Sequence, residues 1–328
     1  MSANNQSAQG GDNHINLYEP HVWKHHTKVA GLEWKNPVGT ASGTFQYAAV
    51  RWFYDVSQLG AVCTKGASPV PWEGNPSPRT AESPAANINA VGLQNPGIDH
   101  YLAEDLPKLK AAGAFVISNV AGHCDDDYAA VVEKLADSDA DMLEINVSCP
   151  NVANLTSLQD KNNLNLILRG LIDFRRGQNQ YRPILLKISP DLTDAQIDDM
   201  IDVLVETGLD GIVATNTTTR RDGLETDPAT VAAIGNGGLS GGPLTRRSLE
   251  VVRYIHKKTE GRFPIIGVGG IMTEDDAVAM LNAGASLIQI YTGFIYNGPQ
   301  FVKRICKRLK QEAESKTKTE TRSESGQR

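Results

Sequence analysis

The chain has 328 residues, 40% hydrophobic and 21% charged, with a formal net charge of -6. That composition buries a large core, either as two domains or as one large α/β barrel. The acidic balance argues against nucleic acid or an anionic membrane as partner, and no apolar run reaches the roughly 18 residues of a membrane span.

In chain order, residues 1–27 read as a flexible polar lead. Met1 to His14 lacks the basic and apolar regions of a secretory signal, so a cytoplasmic protein is expected. His14, His21, His25 and His26 fall in this lead. A solvated segment is the simpler reading of them and a metal site the alternative.

From residue 28 onward, short β-prone runs alternate with longer helix-like segments. The runs are Pro37–Ala41, Ala61–Lys65, Phe115–Val120, Met142–Val147, Ile184–Ile188, Gly211–Ala214, Ile265–Val268 and Leu287–Tyr291. Between them, Ile197, Met200, Ile201 and Leu204 recur at helical spacing behind the acidic start at Asp194. Thr273-Glu274-Asp275-Asp276 reads as a capped helix start. Ser68 to His100 is dense in Pro, Gly and Asn and shows no clear helix, which suggests a long excursion over one barrel face. Residues 312–328 are charged and nearly free of apolar side chains, and a disordered tail is expected there.

Eight strand–helix units predict an α/β fold, a (β/α)8 TIM barrel, as a single domain over residues 28–311. A doubly wound sheet would open on a Gly-rich fingerprint, and none stands near the start.

Active sites of such barrels lie at the C-terminal strand ends. Here those ends carry Ser42, Thr64-Lys65-Gly66, Asn119, Asn146 to Asn151, Lys187, Thr215-Asn216-Thr217, Gly269-Gly270 and Tyr291-Thr292. Amides, hydroxyls, glycines and two lysines dominate. A carboxylate pair and a histidine cluster are both missing, so glycosidase and metal-hydrolase readings fail.

The fourth end is the most telling. An apolar strand closes on Asn146, Ser148, Cys149 and Asn151, with Pro150 stopping it. Cys149 is either a small inert core residue or a reactive thiol, and its polar neighbours favour the second. Cys63 and Cys306 lie in apolar settings and read as inert. Cys124 sits in a polar loop without an evident role. The four cysteines form no CxxC pair, so neither a metal nor an iron–sulfur site is expected within this chain.

Lys65 and Lys187 either snorkel to the rim or aim into the pocket to stabilise an anion or a reduced ring. The turns Gly237–Gly242 and Gly267–Gly270 are either plain tight turns or backbone cradles for a phosphate. Their position after the sixth and seventh strands favours the phosphate.

Together these segments resemble the dihydroorotate dehydrogenase family. The resemblance rests on Asn36–Phe45, Thr64–Gly66, Glu73–Pro76 with Pro78-Arg79, Asn89–Gly97, Asn146–Asn151, Thr215–Thr218, Gly237–Gly241 and Gly267–Gly270. It covers residues 28 to 310. Up to Asn151 the chain is similar to class 1, especially class 1B, in which the base is cysteine. After about Leu155 it is more similar to class 2, through Leu185–Thr193 and Ile290–Tyr296. The polar lead differs from the apolar membrane-docking extension of class 2.

The resemblance implies FMN-dependent oxidation of (S)-dihydroorotate to orotate in pyrimidine (UMP) synthesis. Cys149 would take the C5 proton, Lys65 would assist, and hydride would leave C6 for flavin N5. Lys65, Asn89, Gly92, Leu93, Asn146, Asn151, Asn216 and Thr217 would hold the substrate. Amides suit a ring that alternates N–H and C=O. Ser42, Lys65, Gly66, Asn119, Asn146, Lys187, Thr215, Gly241, Gly269, Gly270, Tyr291 and Thr292 would hold FMN. An oligomer is expected. The electron acceptor stays open among fumarate, quinone and NAD, the last through an iron–sulfur FAD partner subunit. Two other FMN barrels acting on pyrimidines are alternatives, a dihydropyrimidine dehydrogenase domain and a dihydrouridine synthase. The synthase needs a basic tRNA surface that the acidic balance disfavours. A non-catalytic docking barrel would not need the polar packet around Cys149.

Overall fold

The computed structural model describes residues 27–45, 51, 54–148, 161–176, 181–222 and 224–325. The lead expected over residues 1–27, with its histidines, lies outside them except for Thr27.

The described chain opens with an antiparallel hairpin of β1 (Thr27–Val29) and β2 (Leu32–Trp34). Next come β3 (Val38–Thr40) and β4 (Ala61–Cys63). The excursion then carries a second hairpin, β5 (Thr80–Ser83) and β6 (Ala86–Asn89). A short helix α1 (Ile98–His100) runs through a wide π turn, Tyr101–Asp105, into α2 (Leu106–Ala111). From there strand and helix alternate: β7 (Val116–Val120), α3 (Asp125–Leu135), β8 (Met142–Asn146), α4 (Lys161–Arg176), β9 (Ile184–Ile188), α5 (Asp194–Thr207) and β10 (Gly211–Ala214). The C-terminal part holds α6 (Pro228–Ile234), β11 (Gly238–Gly241), α7 (Thr245–Lys258), β12 (Ile265–Val268), α8 (Glu274–Asn282), β13 (Leu287–Ile290), α9 (Thr292–Asn297) and α10 (Phe301–Ser325).

Eight of these strands close a parallel barrel in the order β10-β12-β13-β3-β4-β7-β8-β9, the (β/α)8 fold expected from the alternation. Each expected run contains its barrel strand. The strands read as continuous apolar runs because one face packs into the barrel and the other under the helices. Val116, Leu143, Ile145, Leu186 and Ile212 pack outward with helix residues such as Val131, Leu168, Leu204 and Val252. Ala61, Cys63, Ile117, Met142, Leu185, Val213, Ile266 and Leu287 fill the barrel interior. Val29 and Trp34 of the first hairpin join this inner cluster, and Trp34 lies 4.8 Å from Phe115, ring centre to ring centre.

Helix α5 shows why such segments start where they do. Thr193 Oγ1 accepts from Gln196 N at 3.3 Å, and Gln196 Oε1 accepts from Thr193 N at 2.9 Å, a complete capping box. Ile197, Met200, Ile201 and Leu204 form its buried face, and Gly208 ends it at φ 73°.

Two features differ from the sequence expectation. Gly238–Gly241 is not only a turn but a strand, which pairs antiparallel with β6 and makes a three-stranded sheet with the excursion hairpin. Near-glycine strands have no side-chain pattern to announce them, and the pairing spans about 150 residues of sequence. The C-terminal helix α10 runs to Ser325, where a disordered tail is expected from residue 312. Its buried apolar face runs from Phe301 through Leu309 to Ala313. Among the described residues, no helix is long and apolar enough to cross a membrane.

Candidate active site

A cleft of about 860 Å³, its open mouth included, lies at the C-terminal ends of the barrel strands. Ser42, Lys65, Asn89, Leu93, Asn146, Lys187, Thr215, Asn216, Thr217, Gly241, Gly269, Gly270, Tyr291 and Thr292 all line it. Three other expected residues sit nearby. Asn119 is fully buried below the floor, Gly66 borders a neighbouring cavity that also reaches Lys65, and Gly92 packs on Asn75. Cys149 and Asn151 lie outside the described residues.

The end of β8 is the centre of a side-chain network. Tyr128, fully buried, donates its hydroxyl to Asn146 O at 2.8 Å. Asn146 Oδ1 accepts from Ser148 N and from Asn216 Nδ2, both at 3.3 Å. Asn216 Nδ2 also donates to Ser148 Oγ at 3.1 Å, and Asn216 Oδ1 accepts from Thr217 N at 2.9 Å. The loop after β10 is held in turn by Asp191, whose carboxylate accepts from Thr219 N at 2.7 Å and Thr219 Oγ1 at 2.8 Å. Two amides from different strand ends are thereby locked with polar edges available to a ring.

The opposite wall is backbone. Gly269 and Gly270 adopt φ 109° and 73°, in the region that favours glycine. A Cβ on Gly269 would lie 2.3 Å from Ser248 Oγ, and one on Gly270 2.3 Å from Thr245 Cα. Ser248 Oγ in turn shares a 3.0 Å hydrogen bond with Thr215 Oγ1. Thr292 Oγ1 donates to Ser240 Oγ at 2.9 Å and so ties the eighth strand end to β11. Asn89 Nδ2 donates to Gly238 O at 3.5 Å across the same small sheet.

Beneath the cleft lies a polar layer. Glu144 is fully buried, and its Oε1 accepts from Asn119 Nδ2 at 2.7 Å and from Lys187 Nζ at 3.0 Å. Its Oε2 accepts from Gln289 Nε2 at 3.1 Å. The Lys187 and Glu144 side chains are 4% and 0% exposed, so this is a buried ion pair. The Cys63 thiol sits beside it. Burial pushes that thiol well up from its ordinary range, and the Glu144 charge pushes it further. Burial also raises the Tyr291 hydroxyl, which the Lys187 charge partly offsets. Among the described residues, no cluster of His, Cys, Asp or Glu could hold a metal.

Four residues of this site carry no task in the sequence reading: Glu144, Gln289, Ser148 and Asp191. The first two leave a signal. A polar residue two positions after an apolar inward one breaks an otherwise buried run, at Met142/Glu144 and Leu287/Gln289. Ser148 and Asp191 act through loops that only the fold brings together.

The family model for dihydroorotate dehydrogenase matches residues 24–312. A dihydroorotate dehydrogenase (quinone) of Christiangramia forsetii is 40% identical over 294 residues, covering 86% of this chain and 83% of that protein. The catalytic subunit of a dihydroorotate dehydrogenase B (NAD(+)) of Alkaliphilus metalliredigens is 38% identical over 278 residues, covering 82% and 87%. Among solved structures, a crystal structure of DHODH from Eimeria tenella in complex with ferulenol superposes with a TM-score of 0.74 at 29% identity, covering 87% of this chain and 83% of that one.

Proposed function

This chain belongs to the dihydroorotate dehydrogenase family and is an oxidoreductase of pyrimidine biosynthesis that oxidises dihydroorotate; we propose that it does so with FMN bound in the barrel-end cleft and with Cys149 as the base. The observation that carries this reading is one cleft lined by locked amides on one wall and bare glycine backbone on another. The family is flavin-dependent, and the residues here fit FMN. Gln289 Oε1, on the cleft lining, and Asn119 Oδ1, below it, are buried and have no partner among the described residues. A ring with N–H groups meets such acceptors, and a phosphate meets the N–H groups of a glycine wall.

FMN supplies the hydride acceptor when bound. The chain supplies the rest. Ser42, Lys65, Gly66, Asn119, Asn146, Lys187, Thr215, Tyr291 and Thr292 hold the cofactor, with Gly241, Gly269 and Gly270 around its phosphate. Lys65, Asn89, Gly92, Leu93, Asn146, Asn151, Asn216 and Thr217 hold the substrate carboxylate and ring amides. Cys149 accepts the C5 proton, which requires a thiol poised towards thiolate. Lys65 adds positive charge beside the developing anion.

The same proposal includes an oligomer in the cytoplasm and one of three electron acceptors: NAD through an iron–sulfur FAD partner subunit, fumarate or a quinone. Purified protein reconstituted with FMN should be yellow and should bleach anaerobically with dihydroorotate. A colourless protein that takes up no FMN would overturn the reading. Reoxidation of the reduced protein by fumarate, a soluble quinone and NAD, each with and without cell extract, then identifies the acceptor.

A further inference from the structure

The barrel interior is built in layers two residues apart along each strand. Met142, Leu185, Ile117 and Leu287 belong to an apolar layer. One pleat nearer the cleft, the same four strands present Glu144, Lys187, Asn119 and Gln289. Three nitrogen donors from three strands converge on one carboxylate, at 2.7, 3.0 and 3.1 Å. An apolar layer would pack this position more easily, because a charge pair taken out of water loses its hydration before its mutual attraction is regained. Two of Glu144's three partners, Lys187 and Gln289, line the cleft, whereas Glu144 itself does not.

We propose that Glu144 is a positioning residue for the cofactor: it compensates the charge of Lys187 and orients the Asn119 and Gln289 amides, and so sets the redox potential of the flavin above them. The inference rests on the flavin reading of the cleft. A buried positive charge near a flavin favours the electron-rich reduced form, and the field is strong where water is excluded. With Glu144 ionised beside it, Lys187 delivers a compensated charge. Without Glu144 the full charge acts, and both amides lose the acceptor that fixes them.

The test is the flavin midpoint potential of the FMN-loaded protein, with FMN affinity measured alongside. Glu144→Gln is expected to shift the potential positive, and the shift should vanish in Glu144→Gln/Lys187→Met. Glu144→Asp keeps the charge but is one methylene short of its three donors. It should stay close to the wild-type potential while flavin reduction by dihydroorotate slows. A flavin-loaded Glu144→Gln protein with the wild-type potential would overturn the inference and leave the flavin reading standing. Wild-type protein that holds no flavin would overturn both. If Glu144→Gln does not fold, the comparison is the wild type against the double variant, since an uncharged pair replaces a buried ion pair well. If Glu144 compensates Lys187, the two potentials should be close, and a markedly lower potential in the double variant would show that Lys187 acts uncompensated and would overturn the inference.

Discussion

A thiol serves as a base only where its proton is easily lost and its position is fixed. Ser148, the residue before Cys149 in the sequence, is buried and bonded to both Asn146 and Asn216. Replacing Cys149 with alanine should leave FMN bound but slow flavin reduction by dihydroorotate about 10²- to 10⁴-fold, the usual contribution of a general base. Stopped-flow absorbance at the flavin band measures it. Cys149→Ser should be slow rather than inactive, because a hydroxyl is a far weaker acid at neutral pH. Near-normal reduction in Cys149→Ala would remove this residue from the base role. The chemical type of the residues at strand ends was readable from sequence, since amides and lysines interrupting apolar runs stand out. Which of them meet was not. Asn216 reaches Asn146 across 70 positions of sequence, and no local pattern encodes that contact.

At the scale of the element, local rules governed the outcome. The helix starts at Asp194 and after Thr273 were legible because an acidic first turn and capping chemistry each lie within four residues, whereas the cap on Thr193 was seen only in the structure. Thr193→Ala removes the Oγ1 acceptor and should cost about 1 kcal/mol, seen as a lower urea midpoint with an unchanged slope. FMN should remain bound, because Thr193 does not line the cleft. Strand β11 is the opposite case. Gly-Leu-Ser-Gly has little strand propensity, and it becomes a strand because β6 offers it a ladder from Asn89↔Gly238 to Ala86↔Gly241. That tertiary override matters for the site, since it places Asn89 and Gly241 on the same cleft.

For the whole molecule, burial decides the response to alkali. Tyr54 packs between Phe45 and Phe294, at 5.7 and 5.6 Å between ring centres, and its hydroxyl has no partner among the described residues. Burial above all, then the charges of Cys306 and Asp55, push it from 10.0 up to about 12. The folded state holds this proton more tightly than the unfolded chain. Its contribution is therefore intact below pH 10 and is lost as pH rises from 10 towards 12, by about 2 kcal/mol. Tyr54→Phe should flatten that alkaline decline in thermal melts and cost little at pH 7, since no hydrogen bond is removed. An alkaline decline of wild-type slope in the variant would assign the effect to other groups. The sequence alone determined the barrel, its eight strands and the kinds of group at their ends, because hydrophobic periodicity and turn chemistry are local and repeat eight times. Only the tertiary structure decided that Glu144 is the hub beneath the cleft, that the excursion and β11 share a sheet, and that amides from distant strands lock one another. Those facts depend on closing the barrel, which brings strands far apart in sequence within hydrogen-bond reach.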